Sequence, residues 1–242
     1  MRIPVIQGII DRRILANFRV DPDVISKILP PPFRPKLFKE YAIAGICLIR
    51  LAHIRPRFFP LPWGLRSENA AHRVAVEWDV NGITQQGVYI PRRDTGSRLN
   101  LWLGGRVFPG VHHYATFNVH ETDEALSVSL QSTDGKTHVH VAGNVTDRLP
   151  ATSVFQSLDE VSRFFEAGAL GYSVTRTLGR YDGLELHCDR WHIEPLDVTQ
   201  IESSYFADET LFPRGSVSFD CALLMRKIAH EWHGRGELCC AT

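Results

Sequence analysis

Short apolar runs, many of them rich in β-branched residues, recur along the chain and are separated by Gly, Pro, Asn and Asp. This pattern of short apolar runs separated by turn residues is typical of many strands joined by turns, and it predicts a mainly β fold. The clearest hairpin joins residues 126–130 to residues 137–141 through Asp134 and Gly135, because Asp-Gly supplies the positive φ of a tight turn. Further strands are predicted at residues 15–20, 42–51, 72–80, 87–90, 115–120, 172–178, 185–191 and 199–205.

Two segments carry helical patterns. Asp21 can cap a helix that has Pro22 at its first position, apolar residues follow at helical spacing, and a run of prolines ends it. Ser157 and Glu160 have the spacing of a capping box ahead of a second apolar face, and this helix is predicted to end at Gly168. We expect both helices to pack on a curved sheet.

Three stretches are less regular. Residues 33–39 and 55–63 contain prolines, which lack the N–H donor of a ladder, so both are predicted to be rim loops. The residue types at 222–233 favour a helix, whereas the surrounding pattern of strands favours a last β element. The sequence does not decide between the two. Because no internal repeat or glycine-serine linker divides residues 1–242, one domain is expected.

Composition narrows the class of protein. Hydrophobic residues make up 44% and charged residues 22%, which is typical of a globular domain with a core. Lys and Arg together number 27, as do Asp and Glu, so no basic excess indicates nucleic acid or an anionic membrane as a partner. No apolar run is long enough for a membrane span, and residues 1–10 lack the apolar region of a secretory signal.

The cysteines indicate a reducing compartment. There are five of them, an odd number, with no Cys-x-x-Cys pair and with Cys239 and Cys240 adjacent. Disulfide frameworks are rare in the cytosol, so we expect a cytoplasmic protein without structural disulfides.

The first candidate site combines an acid, an imidazole and a guanidinium at Glu68, His72 and Arg73. A carboxylate near the end of a strand can act as a general acid or base in a buried setting. We predict Glu68 as a catalytic residue and His72 and Arg73 as substrate-binding residues. The alternative is a surface ion pair between Glu68 and Arg73 that only orders the loop.

The second candidate site is a glycine-rich segment that follows an apolar run. Arg106 could bind a carboxylate in bidentate fashion, and Gly110 permits close backbone approach to a substrate. His112, His113 and Tyr114 are predicted as catalytic proton donors. The alternative is a turn in which adjacent histidines face opposite sides.

Other histidines do not predict a metal site. His138 and His140 share one strand face but have no third ligand nearby, so an exposed polar face is the favoured interpretation. His230 and His233 lack the four-residue spacing of helical zinc motifs. The chain also lacks a P-loop, a Rossmann fingerprint and a Gly-x-Ser-x-Gly elbow, and we predict no metal and no cofactor.

Three segments resemble the acetoacetate decarboxylase-like superfamily, in particular its bacterial branch of unknown function. Residues 12–32 run from a strand through a short helix to a proline stop, and residues 66–68 resemble the acid-bearing segment of that family's pocket. Residues 105–110 are similar to the stretch that leads to the family's Schiff-base lysine. The resemblance covers the first half of the chain and implies a closed, cone-like antiparallel β barrel with a few flanking helices and an interior site.

Two catalytic parts of that family are missing here. Gly110 stands where the family has its Schiff-base lysine, and residues 44–48 lack the second acid of the family's pocket. A Schiff base requires an amine, and Lys227 is the one other lysine with enough apolar neighbours in sequence to be considered. The resemblance therefore does not imply decarboxylation.

These observations predict an interior pocket for a small organic acid or carbonyl compound, on which the protein acts by acid–base catalysis without a Schiff base. A second possibility is a non-catalytic ligand-binding or sensing module of the same fold. A third is a structural protein whose barrel interior is filled by side chains. Self-association into a homo-oligomer stays open.

Overall fold

A computed structural model describes residues 4–58, 64–103 and 109–239. Within these ranges it contains helices α1 (Pro22–Ile28), α2 (Arg98–Leu103) and α3 (Leu158–Glu166). The strands are, in chain order, β1 (Ile6–Val20), β2 (Arg34–Pro35), β3 (Leu37–Phe38), β4 (Tyr41–Pro56), β5 (Leu65–Val80), β6 (Ile83–Thr95), β7 (His112–Glu121), β8 (Ala125–Ser132), β9 (His138–Val145), β10 (Leu170–Val174), β11 (Arg180–Cys188), β12 (Glu194–Ser203) and β13 (Val217–Cys239).

The sheet closes on itself twice. One closed ring runs β1-β4-β5-β6-β7-β8-β9-β12-β13, and we call it the large ring. The other runs β1-β4-β5-β6-β10-β11-β13, and we call it the small ring. The predicted mainly β, closed barrel is confirmed, but it is not purely antiparallel because β6 pairs in parallel with both β7 and β10.

Strands shared by the two rings are buried on both faces. In β4, Ala44 and Ile46 pack in the core of the large ring, whereas Ile43 and Cys47 pack in a second core that includes α3. Successive side chains of a strand point to opposite faces, so a strand covered on both sides needs an almost continuous apolar sequence. This explains the uninterrupted apolar run over residues 42–49.

Both predicted helix starts are confirmed. The Asp21 side chain accepts a hydrogen bond from the backbone N–H of Asp23 at 2.8 Å, and the Ser157 hydroxyl accepts one from Glu160 at 3.2 Å. The second helix, α3, ends at Glu166, two residues before the predicted stop. No helix among the described residues is long and apolar enough to cross a membrane.

Several strand boundaries differ from the prediction. The strand β5 begins at Leu65, so Glu68 lies inside a strand rather than on a preceding loop. The strand β10 ends at Val174, so the predicted strand end at residue 178 is wrong. Residues 222–233 belong to β13, because long ladders to β1 and β11 outweigh the helical composition of this segment.

The proline-containing stretches are loops only in part. Residues 33–39 hold the two short strands β2 and β3, and residues 55–56 extend β4 far enough to pair with β1. The prediction of a loop from residue 55 is therefore wrong at its start. Residues 59–63 lie outside the described residues. The predicted hairpin is confirmed, with Gly135 at φ 70° between β8 and β9.

Two histidines are buried in the neutral form. His72 is 0% exposed, its ring lies 4.9 Å from that of Tyr205, and neither ring nitrogen has a hydrogen-bond partner in the described part of the chain. Burial lowers the pKa of His72 to about 3, and the charge of Arg92 adds to this shift. Burial also lowers the pKa of His230 to about 4. Neither imidazole therefore carries a charge in the folded protein at neutral pH.

We expect the free energy of unfolding to decrease as the pH falls below about 6.5, the pKa of a histidine in an unfolded chain. In that range the unfolded chain binds protons that the folded protein does not, so each such histidine removes about 1.4 kcal/mol of stability per pH unit. Urea unfolding over this pH range measures the slope.

His72→Phe keeps an aromatic ring of similar size and removes the titrating group. We expect a shallower pH slope in this variant than in the wild-type protein. An identical slope in both proteins would show that His72 does not contribute to the acid sensitivity.

Candidate ligand-binding site

A hollow space lies among the strands of the small ring. It consists of two adjoining cavities of about 70 Å³ and about 110 Å³. One water molecule occupies roughly 10–15 Å³ on such a measure, so the space exceeds a single water site several-fold. We call it the interior pocket. Both cavities are lined by Ile49, Asn69, Ala70, Arg93, Leu184 and Trp232.

Three arginines line the larger cavity: Arg13 on β1, Arg73 on β5 and Arg93 on β6. Arg13 donates hydrogen bonds only to sulfur atoms, from Nε to Cys47 at 3.4 Å and from Nη1 to Met225 at 3.8 Å. The strands β1, β5 and β6 lie within the consecutive set β1-β4-β5-β6 of the small ring, which brings the guanidinium groups to one space.

The other two guanidinium groups have neutral partners. Arg93 Nε donates to the Ser173 hydroxyl at 2.9 Å, and Arg73 donates to the side-chain oxygen of Asn17. Neither these two nor Arg13 forms an ion pair with a carboxylate of the described residues. Burial lowers the pKa of both Arg73 and Arg93 to about 10, which leaves them charged at neutral pH. The pocket wall thus carries positive charge that no ion pair among the described residues compensates, and the charge of Asp182 acts on Arg93 only from a longer distance.

His112 lines the smaller cavity near Arg93. Its Nδ1 lies 3.2 Å from the carbonyl oxygen of Gly110. Since a carbonyl only accepts hydrogen bonds, Nδ1 carries the proton and Nε2 is left as an acceptor. Burial lowers the pKa of His112 to about 4, and the positive charge of Arg93 acts in the same direction. Neutral His112 can accept a proton at Nε2, and its role as a proton donor stays a prediction.

The smaller cavity also has a polar wall. The side-chain oxygen of Asn69 accepts a hydrogen bond from Thr95 at 2.7 Å and one from Asn100 at 3.3 Å. Asp94 lines this cavity, but its carboxylate receives three hydrogen bonds from Arg92 at 2.8–3.2 Å. Burial raises the pKa of Asp94, and Arg92 opposes that shift. The cavity therefore offers amide groups and one carboxylate that is already paired.

Glu68 faces away from the interior pocket. Its neighbours Ser67 and Asn69 line the smaller cavity, whereas Glu68 itself lines a separate open groove of about 530 Å³ together with Tyr114. The alternation of side chains along β5 separates them. Its carboxylate accepts hydrogen bonds from Arg12 at 2.6 Å and from Arg50 at 2.6 Å.

Glu121 completes this cluster of ion pairs. It pairs with Arg12 at 3.0 Å and also with Arg50, so two arginines and two glutamates contact one another in a closed cycle. We call these four residues the ion-pair cluster. Arg73 is not part of it, so the alternative of a Glu68–Arg73 surface pair is wrong.

The structure brings together only some of the predicted site residues. Arg73 and His112 line the interior pocket, whereas His72 lies in the core of the large ring. His113 lies 3.3 Å from the carboxylate of Asp134 at the hairpin turn. Arg106 lies outside the described residues.

Gly110 is required by its backbone geometry. It has φ +81°, and a Cβ at this position would lie 2.5 Å from the Cβ of Ser173. Its N–H donates to the carboxylate of Asp182 at 3.0 Å. No larger side chain fits here, so the absence of a lysine follows from the local structure as well as from the sequence.

The remaining candidates lie elsewhere. Lys227 is exposed on β13 with φ 53°, so its apolar neighbours in sequence do not place it in the desolvated setting that would lower the pKa of its amine. His138 is exposed, and His140 contacts the Ser127 hydroxyl at 3.1 Å. Within the described ranges no group of three potential ligands could hold a metal ion.

Sequence reasoning missed Arg13, Arg93, Asn69 and Cys47 as pocket residues. One signal was available: Asp11, Arg12 and Arg13 interrupt the apolar residues of β1, and a charged side chain in a largely buried strand points to a partner or a cavity. Arg12 and Arg92, which directly precede Arg13 and Arg93, carry the same signal but form ion pairs instead of lining the pocket. Only the arrangement of the two rings distinguishes the paired arginines from the pocket arginines.

The closed fold surrounds an interior cavity whose wall carries three arginines. The chain belongs to the family DUF2071, described as uncharacterized conserved protein (COG2071), whose model matches residues 10–224. A comparison with curated proteins found no match.

Solved structures share the fold at low sequence identity. Acetoacetate decarboxylase from Legionella pneumophila is similar with a TM-score of 0.63 and 12% identity, over 98% of this chain and 87% of that chain. An acetoacetate decarboxylase-like enzyme from Sphingomonas wittichii has a TM-score of 0.59 and 11% identity, over 100% of this chain and 94% of that chain. The enduracididine biosynthesis enzyme MppR complexed with pyruvate has a TM-score of 0.51 and 12% identity, over 97% and 89%. The predicted acetoacetate decarboxylase-like fold is confirmed.

We expect Glu68→Gln to lower the free energy of unfolding by about 2 kcal/mol, because it leaves Arg12 deeply buried with a single carboxylate partner. Arg12 is only 2% exposed, so water does not replace the lost partner. Urea unfolding at neutral pH measures the change.

Glu77→Gln is the matched control, since it makes the same chemical change at a more exposed position of β5, 3.7 Å from Arg34. We expect this control to cost less than about 0.5 kcal/mol. Equal effects of the two substitutions would contradict a structural role for the ion-pair cluster.

Proposed function

We propose that this protein binds a small carboxylic acid in the interior pocket, with the carboxylate held by Arg13, Arg73 and Arg93. The observation that carries the proposal is the convergence of three arginines on one cavity without a carboxylate partner among the described residues. Guanidinium groups bind carboxylates through paired, charge-assisted hydrogen bonds. Leaving such charges unpaired in the interior costs stability, which a bound anion would offset.

The shape of the pocket supports a ligand with an apolar part as well. The wall beside the arginines is formed by Ile49, Leu184 and Trp232, and the smaller cavity adds the amides of Asn69 and Asn100. A short acid with a carbonyl group would place its carboxylate on the arginines and its carbonyl toward the amides. The structural relative MppR, which has been solved with pyruvate, supports pyruvate as the first probe.

We further propose acid–base chemistry in which His112 accepts a proton. Nε2 of His112 is unprotonated when Nδ1 donates to Gly110, and an anion bound beside it would make it more basic. It would take a proton from the carbon next to the ligand's carbonyl group, and the amides of Asn69 and Asn100 would stabilise the enolate oxygen. Glu68, His113 and Tyr114 remain predicted catalytic residues, and substitution of each in the same assay tests them.

A non-catalytic binding protein is the second candidate. It is favoured by the chemistry of the wall, because the described lining residues include no lysine and the one carboxylate, Asp94, is paired with Arg92. The two candidates share the ligand site and differ only in whether a proton is transferred.

We expect pyruvate to bind the wild-type protein, and we expect Arg13→Gln to weaken that binding by about 10- to 100-fold, the worth of a hydrogen bond to a charged group. Isothermal titration calorimetry measures the affinity. Arg34→Gln is the control, since Arg34 lies on the surface in an ion pair with Asp79 at 2.8 Å. No binding to the wild-type protein, or equal loss in both variants, would refute the proposal.

We expect the protein to accelerate exchange of the methyl protons of pyruvate in D2O, and His112→Gln to slow this exchange at least about 100-fold. Proton NMR follows the loss of the methyl signal. His138→Gln is the matched control, because His138 is exposed on β9 and lines neither cavity of the interior pocket. Pyruvate binding without accelerated exchange would leave the non-catalytic candidate.

A further inference from the structure

A thiol lies in the wall of the interior pocket. Cys47 is on β4, lines the larger cavity and is 7% exposed. Its sulfur accepts a hydrogen bond from Nε of Arg13 at 3.4 Å. It is a free cysteine, so no disulfide occupies the sulfur. A nucleophilic atom is thus held directly beside one of the three proposed carboxylate-binding groups.

Arg73 independently indicates that a ligand occupies the space beside this thiol. Arg73 is only 4% exposed. Its Nε has no hydrogen-bond partner in the part of the chain that the structure describes. The guanidinium stacks over the Phe165 ring at 4.7 Å, which fixes its orientation at the cavity wall. A buried donor without an acceptor is costly, and an anion in the cavity would satisfy it.

The charges of Arg73 and Arg93 also reach Cys47. Burial lowers the pKa of each arginine, and the nearby Cys47 opposes the shift in both. The thiol is therefore within electrostatic range of three cationic side chains from three different strands. A negatively charged electrophile would be concentrated at Cys47, and its carboxylate would be oriented by the same groups.

We propose that Cys47 is a nucleophile that forms a covalent bond with small carboxylic acids carrying an electrophilic carbon, such as 2-oxo acids and α,β-unsaturated acids. This inference rests on the proposed function and names the substrate class of the same pocket. The carboxylate is held by Arg13 and Arg73, and the electrophilic carbon one or two bonds away lies toward the sulfur.

With a 2-oxo acid, the step is addition to the ketone. A bond forms between the sulfur and the carbonyl carbon, the π bond of the carbonyl group breaks, and the thiol proton ends on the carbonyl oxygen. The product is a hemithioketal, and the reverse step releases the acid unchanged. With an α,β-unsaturated acid, the sulfur bonds to the β carbon and the thiol proton ends on the α carbon. Neither step needs an oxidant, a reductant or a metal.

The other described cysteines lack this combination of features. Cys221 is 0% exposed and accepts a hydrogen bond from the Asn17 side chain at 3.6 Å. Cys188 lies at the end of β11 and does not line either cavity, and burial raises its pKa. Cys239 is exposed at the end of β13. Cys239 therefore serves as an internal reference for an ordinary thiol in the same sample.

The test compares two alkylating agents of nearly equal size and different charge, iodoacetate and iodoacetamide, on the full chain. Peptide mass spectrometry at short reaction times gives a separate rate for each cysteine. We expect iodoacetate to modify Cys47 at least about tenfold faster than iodoacetamide does, since a cationic cleft accelerates the approach of an anion. We expect no such preference at Cys239. Saturating pyruvate should slow the modification of Cys47 and leave Cys239 unaffected.

Two variants sharpen the result. Arg13→Gln should remove most of the preference for iodoacetate while Cys47 stays present. The Cys47→Ser variant should still bind pyruvate in calorimetry, but it should form no adduct with bromopyruvate at residue 47. An unchanged thermal unfolding curve would confirm that the variant is folded.

The outcomes separate this inference from the proposed function. If pyruvate binds but Cys47 is unreactive, or reacts faster with iodoacetamide, the nucleophile is refuted and the carboxylate site stands. If pyruvate does not bind and neither agent shows a preference at Cys47, both are refuted.

Discussion

Five strands belong to both closed rings, and this sharing constrains every side chain along them. β1, β4, β5, β6 and β13 are covered by one ring on each face over much of their length, so few of their positions reach solvent. A polar side chain on such a strand must find a partner or face a cavity, because burial without either is costly. The ion-pair cluster and the interior pocket are the two outcomes of this constraint.

Adjacent arginines on the shared strands show both outcomes. Arg12 points into the large ring and pairs with two glutamates, whereas Arg13 points into the small ring and donates hydrogen bonds to two sulfur atoms. Arg92 binds Asp94 and Asp134, whereas Arg93 contacts a serine hydroxyl. The same residue type forms ion pairs on one face and lines the interior pocket on the other. What differs is whether a carboxylate lies within reach of the guanidinium group.

The relation to acetoacetate decarboxylase-like enzymes concerns the fold and does not transfer their chemistry. A fold hosts many functions, and the function resides in the site. Here the backbone at Gly110 excludes a side chain, and Glu68 is held in the ion-pair cluster. The pocket instead presents three arginines, a neutral histidine and a thiol. These groups suit recognition of a carboxylate and attack on a neighbouring carbon.

The sequence by itself determined the features that depend on neighbouring residues. The caps at Asp21 and Ser157 and the turn at Gly135 are set by contacts within a few residues, so their patterns were sufficient. The apolar runs also predicted a mainly β fold, and the segment resemblance implied the closed barrel.

Only the tertiary structure decided which face of each strand meets the pocket. Glu68 and Asn69 are adjacent in sequence, yet their side chains point to opposite faces of β5. A shift of one residue in the pairing register of β5 would exchange these two faces. Arg13, Arg93 and Cys47 became pocket residues because β10 and β11 close a second ring over one face of β1, β4, β5 and β6. That closure depends on pairing between residues far apart in the chain, and local pattern does not encode such long-range register.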